Sequence, residues 1–299
     1  MSVDVSVIVP VYDDLEGLER CLEALAAQSY PADQFEVLVV DNGGSQDPAP
    51  VVSRYQFARL LREPKIGSYA ARNRGLAAAR GARVGFTDAD CLPTPHWIAR
   101  AVAWLPSPEA RRVIGGRVDL FARDPDMPTL AEAYDMALGF RQPTNVEQRH
   151  FSVTANLFTT RATLDAVGPF DAELLSGGDK EWGRRAHARG IEIVYADDVV
   201  VRHPARHDLA ELRAKRRRMV GGQLDAARQK YPPLVASSLV LGKACLPPLA
   251  RFFRARSFDH LSWPARVALF AKLWSVASLL QVDSGAEVLR LSLGAKRTR

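Results

Sequence analysis

Apolar runs alternate with amphipathic segments along the first forty residues. Residues 5–11 and 35–41 are almost wholly apolar and rich in valine, which is typical of strands covered by helices on both faces. Between these runs, apolar side chains recur at spacings of three and four and predict one face of a helix: Leu15, Leu18, Leu22 and Leu25. The first two strands are therefore expected to be joined by a covering helix.

The same alternation continues to residue 88. Residues 58–64 and 82–88 have the composition of strands, and the segment 68–81 between them has that of a helix. Strands that alternate with helices favour a parallel sheet with helices on both faces. We therefore predict an α/β fold with a Rossmann-like, mostly parallel sheet.

The pattern is less regular beyond residue 110. Residues 113–121 and 151–160 resemble strands, with a helical segment at 128–140 and a loop at 142–150 between them. A second helix is expected over 177–190, with Asp179 as its N-cap and Gly190 at its end. Residues 191–204 then indicate a pair of short strands that end at His203.

The tail is predicted to be helical and divides the chain in two. We expect a main domain over residues 1–207, with halves 1–110 and 111–207, and a helical basic extension over 208–299. Lysines and a Pro-Pro pair interrupt its apolar segments 233–253 and 263–282, so neither offers the roughly 20 clean residues of a membrane span. One helix face carries Leu269, Leu273, Val276 and Leu280, and it fits either a membrane surface or packing on the main domain.

Charge is distributed unevenly along the 299 residues. Residues 1–201 hold 21 lysines and arginines against 28 acids, a net charge of −7, whereas residues 202–299 hold 19 against 6, a net charge of +13. A basic tail suits an anionic membrane surface, a nucleic acid or an anionic substrate. Three widely spaced cysteines and an N-terminus that resembles a strand favour a cytoplasmic protein, or one at the inner face of the cell membrane.

Two acids at the end of a predicted strand suggest chemistry. Asp88 and Asp90 flank one alanine, and a divalent cation that also coordinates phosphate would relieve their repulsion. Asp41 ends another strand of the same sheet, and ligands of open α/β sheets bind beyond the carboxyl ends of strands. The dinucleotide fingerprint and the P-loop motif are both absent after Asp41.

Six segments in a fixed order strengthen this interpretation. Across residues 5–186 the chain reads VSVIVPVYDD, LEALAAQSYP, FEVLVVDNGG, GSYAARNRGLAAARG, VGFTDADCLP and GGDKEWGRRA. Together they resemble the family 2 glycosyltransferases of the GT-A fold. The resemblance covers about two thirds of the chain and excludes its C-terminal tail.

The resemblance implies a binding site for a nucleotide-sugar donor. Tyr12 would pack on the base beside Pro10, although it also suits a core position, and Asp41 would accept a hydrogen bond from the base. Because DNGGS replaces the common DDGS, either Asp41 or Asn42 could meet the base. The remaining donor contacts that the resemblance implies are Gly67, Arg72, Asn73 and Asp88.

The resemblance also assigns metal, base and acceptor positions. Asp90 would bind Mg²⁺ or Mn²⁺, and His203 would add a third contact unless it is structural. Asp179 matches the aspartate of the family's Glu-Asp motif and is the expected general base, although Gly178 replaces the preceding Glu. Glu181 could orient the acceptor or belong to the helix surface, and Trp182 could stack on a sugar or pack in the core.

The expected function is metal-dependent, inverting sugar transfer from a UDP-, GDP- or dTDP-sugar to an acceptor hydroxyl. The acceptor would be a carbohydrate or a lipid-linked molecule of the cell envelope, with peripheral contact to an anionic membrane. Two alternatives remain open. One is a nucleotidyltransferase, although residues 10–17 lack its Gly-rich, lysine-containing loop, and the other is a nucleic-acid-binding protein that uses the basic run at 213–219.

Overall fold

The computed structural model describes residues 3–228, 230–244 and 262–293. Within them, eight strands form one sheet in the order β3-β2-β1-β4-β7-β6-β8-β5. The strands are β1 (Val5–Val11), β2 (Phe35–Asp41), β3 (Ala58–Arg62), β4 (Arg83–Phe86), β5 (Leu92–Pro93), β6 (Arg112–Phe121), β7 (Leu157–Thr160) and β8 (Glu192–Pro204). The helices are α1 (Leu15–Ala26), α2 (Ala49–Val52), α3 (Ser68–Ala78), α4 (Trp97–Trp104), α5 (Leu130–Leu138), α6 (Gln142–Arg149), α7 (Arg161–Val167), α8 (Gly178–Ala188), α9 (Leu209–Arg228), α10 (Pro233–Ala244) and α11 (Trp263–Ser292).

Half of the sheet follows the predicted parallel pattern. Strands β3, β2, β1 and β4 are parallel neighbours, whereas β4 pairs with β7, β7 with β6, and β5 with β8 in antiparallel fashion. The predicted α/β class is confirmed, and the sheet is mixed. The antiparallel half arises from residues beyond 90, where the strand and helix signals stop alternating.

The sheet buries both of its faces, as its apolar runs predicted. Along β1, Val7 and Val9 pack with α1 on one side, and Ile8 packs with α3 on the other. Alternate side chains of a strand point to opposite faces, so a strand covered on both sides is apolar at every position. This packing leaves the strand ends as the place where polar side chains of β1, β2 and β4 collect.

Several local predictions are corrected. Residues predicted as a loop at 142–150 form α6, and residues 191–204, predicted as two short strands, contain the single 13-residue strand β8. Helix α8 begins at Gly178, which places Asp179 in its first turn and not at the N-cap. Helix α8 ends at Ala188, and Gly190 follows with φ of +73°, a left-handed conformation that suits glycine.

The described residues divide into two compact units. The sheet unit comprises Met1–Asp119, Phe140–Leu174 and Gly178–His203, and the helical unit comprises Leu120–Gly139, Leu175–Gly177 and Pro204–Arg299. The predicted boundary between residues 207 and 208 stays a prediction.

The helical unit contains α5, α9, α10 and α11. Val220 and Leu224 of α9 pack with Val240 of α10 and Val288 of α11. Part of the predicted apolar segment 233–253 lies outside the described residues. In the part of the chain that the structure describes, no helix combines the length and the apolarity needed to cross a bilayer.

The helix face predicted for either membrane contact or packing is a packing face. Leu280 and Val276 of α11 bury against Ala131 of α5 and Leu212 of α9. Leu273 is buried as well, and Leu269 is half-buried. This face therefore belongs to the interior of the helical unit and is not available to a membrane.

Candidate active site

Three polar residues lie at the same edge of the sheet, where their strands end. In the parallel register Val11 pairs with Asp41, and Ile8 pairs with Phe86. Because the carboxyl ends of parallel strands lie at one edge, Tyr12 after β1, Asp41 at the end of β2 and Asp88 after β4 begin there. The sheet thus positions the donor-binding candidates that the sequence indicated.

The two acids after β4 meet the histidine at the end of β8. Ligand atoms of Asp88, Asp90, Cys91 and His203 all lie within 4.8 Å of one another, and His203 Nε2 is 3.4 Å from Asp90 Oδ2. Leu92 of β5 pairs with Arg202 of β8, so the next position of this antiparallel ladder brings Cys91 and His203 together. Residues more than one hundred positions apart in the chain are therefore joined by strand register.

This cluster suits a divalent cation that prefers oxygen ligands. Asp88 and Asp90 each keep about a third of their side chains exposed, at 33% and 32%, and His203 is buried with an imidazole nitrogen directed at Asp90. Two carboxylates and an imidazole are ordinary ligands of Mn²⁺, and carboxylates also bind Mg²⁺. Burial raises the pKa of the Cys91 thiol well above its usual value, so it remains a neutral neighbour of the carboxylates.

Arg72 ties helix α3 to the first of the two acids. Its Nη2 lies 2.5 Å from Asp88 Oδ1, and the Arg72 side chain is only 4% exposed. The buried Nε of Arg72 has no hydrogen-bond partner among the described residues. A guanidinium with a spare donor beside an acidic cluster suits the oxygens of a diphosphate.

The hydroxyl of Tyr69 holds the carboxylate of Asp179. The Tyr69 hydroxyl donates to Asp179 Oδ1 at 3.4 Å, and the Arg72 guanidinium lies 5.6 Å from the centre of the Tyr69 ring. The ring also fills the space beside Gly178, where a Cβ atom would lie 2.7 Å from Tyr69 Cε2. The glycine that departs from the Glu-Asp motif therefore makes room for Tyr69.

The environment of Asp179 favours proton acceptance. Burial raises the pKa of its carboxyl above the ordinary value, and the nearby Asp88 carboxylate acts in the same direction. The Lys180 amide, Arg72 and the Tyr69 hydroxyl oppose this rise. Burial and the charge of Asp179 also raise the pKa of Tyr69, which keeps its hydroxyl protonated as a donor. A half-buried carboxylate with a raised pKa has the properties of a general base.

Asp41 and Asn42 have different surroundings at the end of β2. Asp41 Oδ1 accepts from the amides of Gly43 and Gly44 at 3.2 Å each, and its Oδ2 accepts from Arg62 at 2.9 Å. Asn42 is buried among backbone groups: its amide nitrogen donates to two carbonyls, and its oxygen accepts from Gly67 N at 2.8 Å. Asn42 therefore fixes the loop that leads into α3, and base recognition stays a prediction for Asp41.

Asn73 and Trp182 hold the framework together. The Asn73 amide donates to Phe170 O at 2.8 Å and accepts from Phe170 N at 3.0 Å, which occupies both of its polar atoms. Trp182 is fully buried and donates from Nε1 to Gly168 O at 2.8 Å. A sugar-stacking role for Trp182 is wrong because no ring face reaches solvent, and its alternative role in core packing fits.

The remaining candidates for contact with the acceptor or with the nucleotide base are at least partly exposed. Glu181 forms a two-pronged ion pair with Arg185, with distances of 2.9 and 3.0 Å, which favours its role on the helix surface. Tyr12 is 46% exposed, so its alternative as a core residue is wrong and its ring is accessible to a base. Pro10, two residues earlier in β1, is half-buried.

Two contributors were not identified from the sequence. Tyr69 lies three residues before Arg72, and this helical spacing would have predicted a shared face. Arg62 pairs with Asp41 across the β2–β3 ladder, but only the strand register reveals this. Cys91, which had no assigned role, borders the acidic cluster.

Comparison with known proteins identifies relatives of this chain. The protein-family model described as "Glycosyl transferase family 2" matches residues 6–165 of this chain. Glycosyltransferase AglE of Haloferax volcanii is 39% identical over 227 residues, which are 74% of this chain and 73% of AglE. The pre-mycofactocin glycosyltransferase of Mycobacterium tuberculosis is 25% identical over 81% of this chain, which spans 51% of that relative.

Solved structures share the fold. The mannosyltransferase PcManGT of Pyrobaculum calidifontis, solved with GDP-Man and Mn²⁺, aligns with a TM-score of 0.63 at 21% identity, covering 99% of this chain and 89% of that one. Residues 1–349 of TarS from Staphylococcus aureus, solved with UDP, align with a TM-score of 0.53 at 18% identity, covering 99% and 93%. These likenesses confirm the predicted GT-A fold.

Proposed function

The chain belongs to glycosyl transferase family 2 and is a glycosyltransferase, and we propose that it transfers sugar with inversion and depends on a divalent cation. The observation that carries this proposal is the convergence of Asp88, Asp90 and His203 within 4.8 Å. Inversion requires a base on the acceptor side, a role that the raised pKa of Asp179 supports. The nucleotidyltransferase and nucleic-acid-binding alternatives have no comparable support.

The residues of the sheet unit suit the steps of this reaction. Tyr12 packs on the base of the donor, while Asp41 accepts a hydrogen bond from it. Arg72 donates to the diphosphate through its spare buried N–H. Asp90 and His203 would hold Mn²⁺ or Mg²⁺, with Asp88 beside them. The bound cation would offset the negative charge that develops on the departing diphosphate.

Asp179 acts on the acceptor. Its carboxylate accepts the proton of the acceptor hydroxyl as that oxygen bonds to the anomeric carbon. The bond between the anomeric carbon and the diphosphate oxygen breaks in the same displacement, and the configuration at that carbon inverts. Tyr69 keeps the carboxylate in place through its hydroxyl, so that the base stays directed at the incoming nucleophile.

The donor is proposed to be a UDP-, GDP- or dTDP-sugar. The structural neighbours include one protein solved with GDP-Man and Mn²⁺ and another solved with UDP, which supports this class of donor. We further propose a carbohydrate or lipid-linked acceptor of the cell envelope and a site of action at the inner face of the cell membrane. The +13 net charge of residues 202–299 supports contact with an anionic surface.

Sugar transfer by the purified chain tests the proposed function. Incubation with Mn²⁺ or Mg²⁺, a panel of nucleotide sugars and a set of carbohydrate and lipid-linked acceptors should transfer sugar to an acceptor and release nucleoside diphosphate from one donor. A chelator should stop the transfer. Asp90→Ala should lower turnover by about 100-fold or more because the leaving charge loses its counterion. The matched control Asp33→Ala alters an exposed acid of the sheet unit and should retain activity.

Two results would contradict specific parts of the proposal. Full turnover in the presence of chelator would exclude metal dependence. Retention of the anomeric configuration in the product would exclude the inverting mechanism. Both are read from the product, independently of which sugar proves to be the donor.

A further inference from the structure

Helix α11 exposes a second apolar face. Of the sixteen large hydrophobic side chains that are exposed among the described residues, eleven lie between 231 and 293. Six of these recur along α11 and just past its end at intervals of four, seven, eight, seven and four residues: Trp263, Val267, Trp274, Val282, Leu289 and Leu293. We call these six residues the α11 stripe. Such intervals keep side chains on one side of a helix.

The stripe lies opposite the face by which α11 packs. Leu273, Val276 and Leu280 are buried against α5 and α9, whereas Trp274 is 40% and Val282 is 71% exposed. At about 100° per residue, the buried positions and the stripe fall on opposite sides of the helix. A helix that is apolar on both sides normally has both sides covered.

The charges around α11 indicate what covers the stripe. Its two acids, Asp283 and Glu287, are engaged in ion pairs with Arg213 at 2.7 Å and Arg290 at 2.8 Å, away from the stripe. Lys272 is exposed on the same helix. The surrounding chain, residues 202–299, carries a net charge of +13, which attracts an anionic surface and repels a second copy of itself.

From these observations we infer that the α11 stripe is a docking surface for anionic lipid. The helix is about 45 Å long from its 30 residues, and it lies in the plane of the membrane with its indoles at the level of the headgroups. Lys272 extends from the helix to lipid phosphates. The inference rests on the proposed function for its purpose, because docking would bring the enzyme to a membrane-linked acceptor. Vesicle binding itself requires no sugar transfer.

Vesicle binding by the full chain tests the docking surface. The protein should co-sediment with phosphatidylcholine vesicles that contain phosphatidylglycerol, and much less with phosphatidylcholine alone or at high salt. A combined Trp274→Ser, Val282→Ser and Leu289→Ser variant should bind vesicles at least about tenfold more weakly than the parent chain, because three apolar side chains no longer enter the interface. Its thermal stability should stay close to that of the parent chain, since all three are exposed.

A matched variant changes exposed hydrophobic residues of the helical unit outside α11. Combined Met127→Ser, Leu130→Ser and Met219→Ser substitutions should leave vesicle binding unchanged. Lys272→Glu alters one exposed charge without touching the core and should weaken binding to anionic vesicles only. Asp90→Ala should bind vesicles like the parent chain, so a failed sugar-transfer assay and a failed docking surface give different results.

Three outcomes would overturn the inference. Equal vesicle binding by the stripe variant and the parent chain would exclude the stripe as the contact. Equal binding to neutral and anionic vesicles would show that the stripe does not select anionic lipid. A dimer that the stripe substitutions convert to a monomer, without any binding to vesicles, would assign the stripe to self-association.

Discussion

At the scale of single residues, Asp179 has the surroundings that acid-base work requires. Burial disfavours its charged form, while Tyr69, Arg72 and the Lys180 amide stabilise that form. The balance leaves the pKa of Asp179 raised above its ordinary value. Its place in the first turn of α8 adds the favourable end of the helix dipole.

Asp179→Asn should reduce sugar transfer by about 100- to 10,000-fold, because an amide cannot accept the acceptor proton. Donor binding should change little, since the substitution is nearly isosteric. Turnover and donor affinity measured separately would distinguish these effects. Asp165→Asn, an exposed acid on α7, is the control, and undiminished turnover in Asp179→Asn would remove this residue from the base role.

The pH dependence of transfer should report the Tyr69 contact. The reaction needs ionised Asp179, so turnover should fall on the acid side as pH drops through the raised pKa of Asp179. Tyr69→Phe removes a donor that lowers this pKa, and the acid limb should therefore move to higher pH. An unmoved limb, with turnover lowered equally at every pH, would indicate that Tyr69 only packs against Gly178.

At the scale of elements, one buried carboxylate joins α5 to α9. Asp135 of α5 lies 2.6 Å from Lys215 of α9 and 3.1 Å from Arg206, and the Asp135 side chain is 4% exposed. Burial opposes ionisation of Asp135, but Lys215 and Arg206 outweigh it and hold the pKa of that carboxyl below its usual value. The Asp135 carboxylate offsets part of the desolvation of both cations.

Asp135→Asn should destabilise the helical unit by about 3–5 kcal/mol, because Lys215 and Arg206 keep their desolvation and lose the charge that offsets it. Chemical denaturation checks this value, with the exposed Asp126→Asn as the control. A group whose folded pKa is lowered contributes stability above its unfolded pKa and loses it as pH falls through the folded pKa. The parent chain should therefore lose this contribution below about pH 4, and equal acid sensitivity in both variants would contradict the assignment.

At the scale of the whole molecule, two sets of charges occupy different parts of the chain. The acids of the proposed donor site lie in the sheet unit, and the excess of arginine and lysine lies in residues 202–299. A bound cation would reduce the repulsion among the acids, whereas an anionic surface would complement the tail. The two interactions are thus expected to be separable by substitution.

Donor binding should stabilise the parent chain against heat. With Mn²⁺, a nucleoside diphosphate at about 100 times its Kd adds about 2.7 kcal/mol, which raises Tm by about 5–10 °C for a unit of 150–250 residues. The increase should vanish in Asp90→Ala and persist in Asp33→Ala. An equal increase in Asp90→Ala would show that the nucleotide binds without this carboxylate.

Much of the sheet unit could be predicted from the sequence. The apolar runs that became β1 and β2, and the leucine spacing that became α1, reflect periodicities that local structure imposes directly. Asp41, Asp88 and Asp90 could be placed at strand ends because acids cannot continue a buried strand without partners. The ordered motifs then indicated the GT-A fold, which the comparisons confirm.

Other features depended on contacts distant in the chain. Helix α6 was predicted as a loop because its polar sequence has little helical periodicity. In the structure, the burial of Gln142 and Asn145 stabilises the helix. Trp182 could be a platform or a core residue from sequence alone, and only its full burial decided between them.

The sequence by itself determined the elements of the sheet unit, the edge at which its acids collect and the charge of the tail, since these follow from periodicity and composition. Only the tertiary structure brought His203 to Asp90 through the β5–β8 register, placed Tyr69 between Gly178 and Arg72, and turned one face of α11 inward and the other outward. The physical reason is that each of these depends on partners many residues away, whose positions local propensities do not encode.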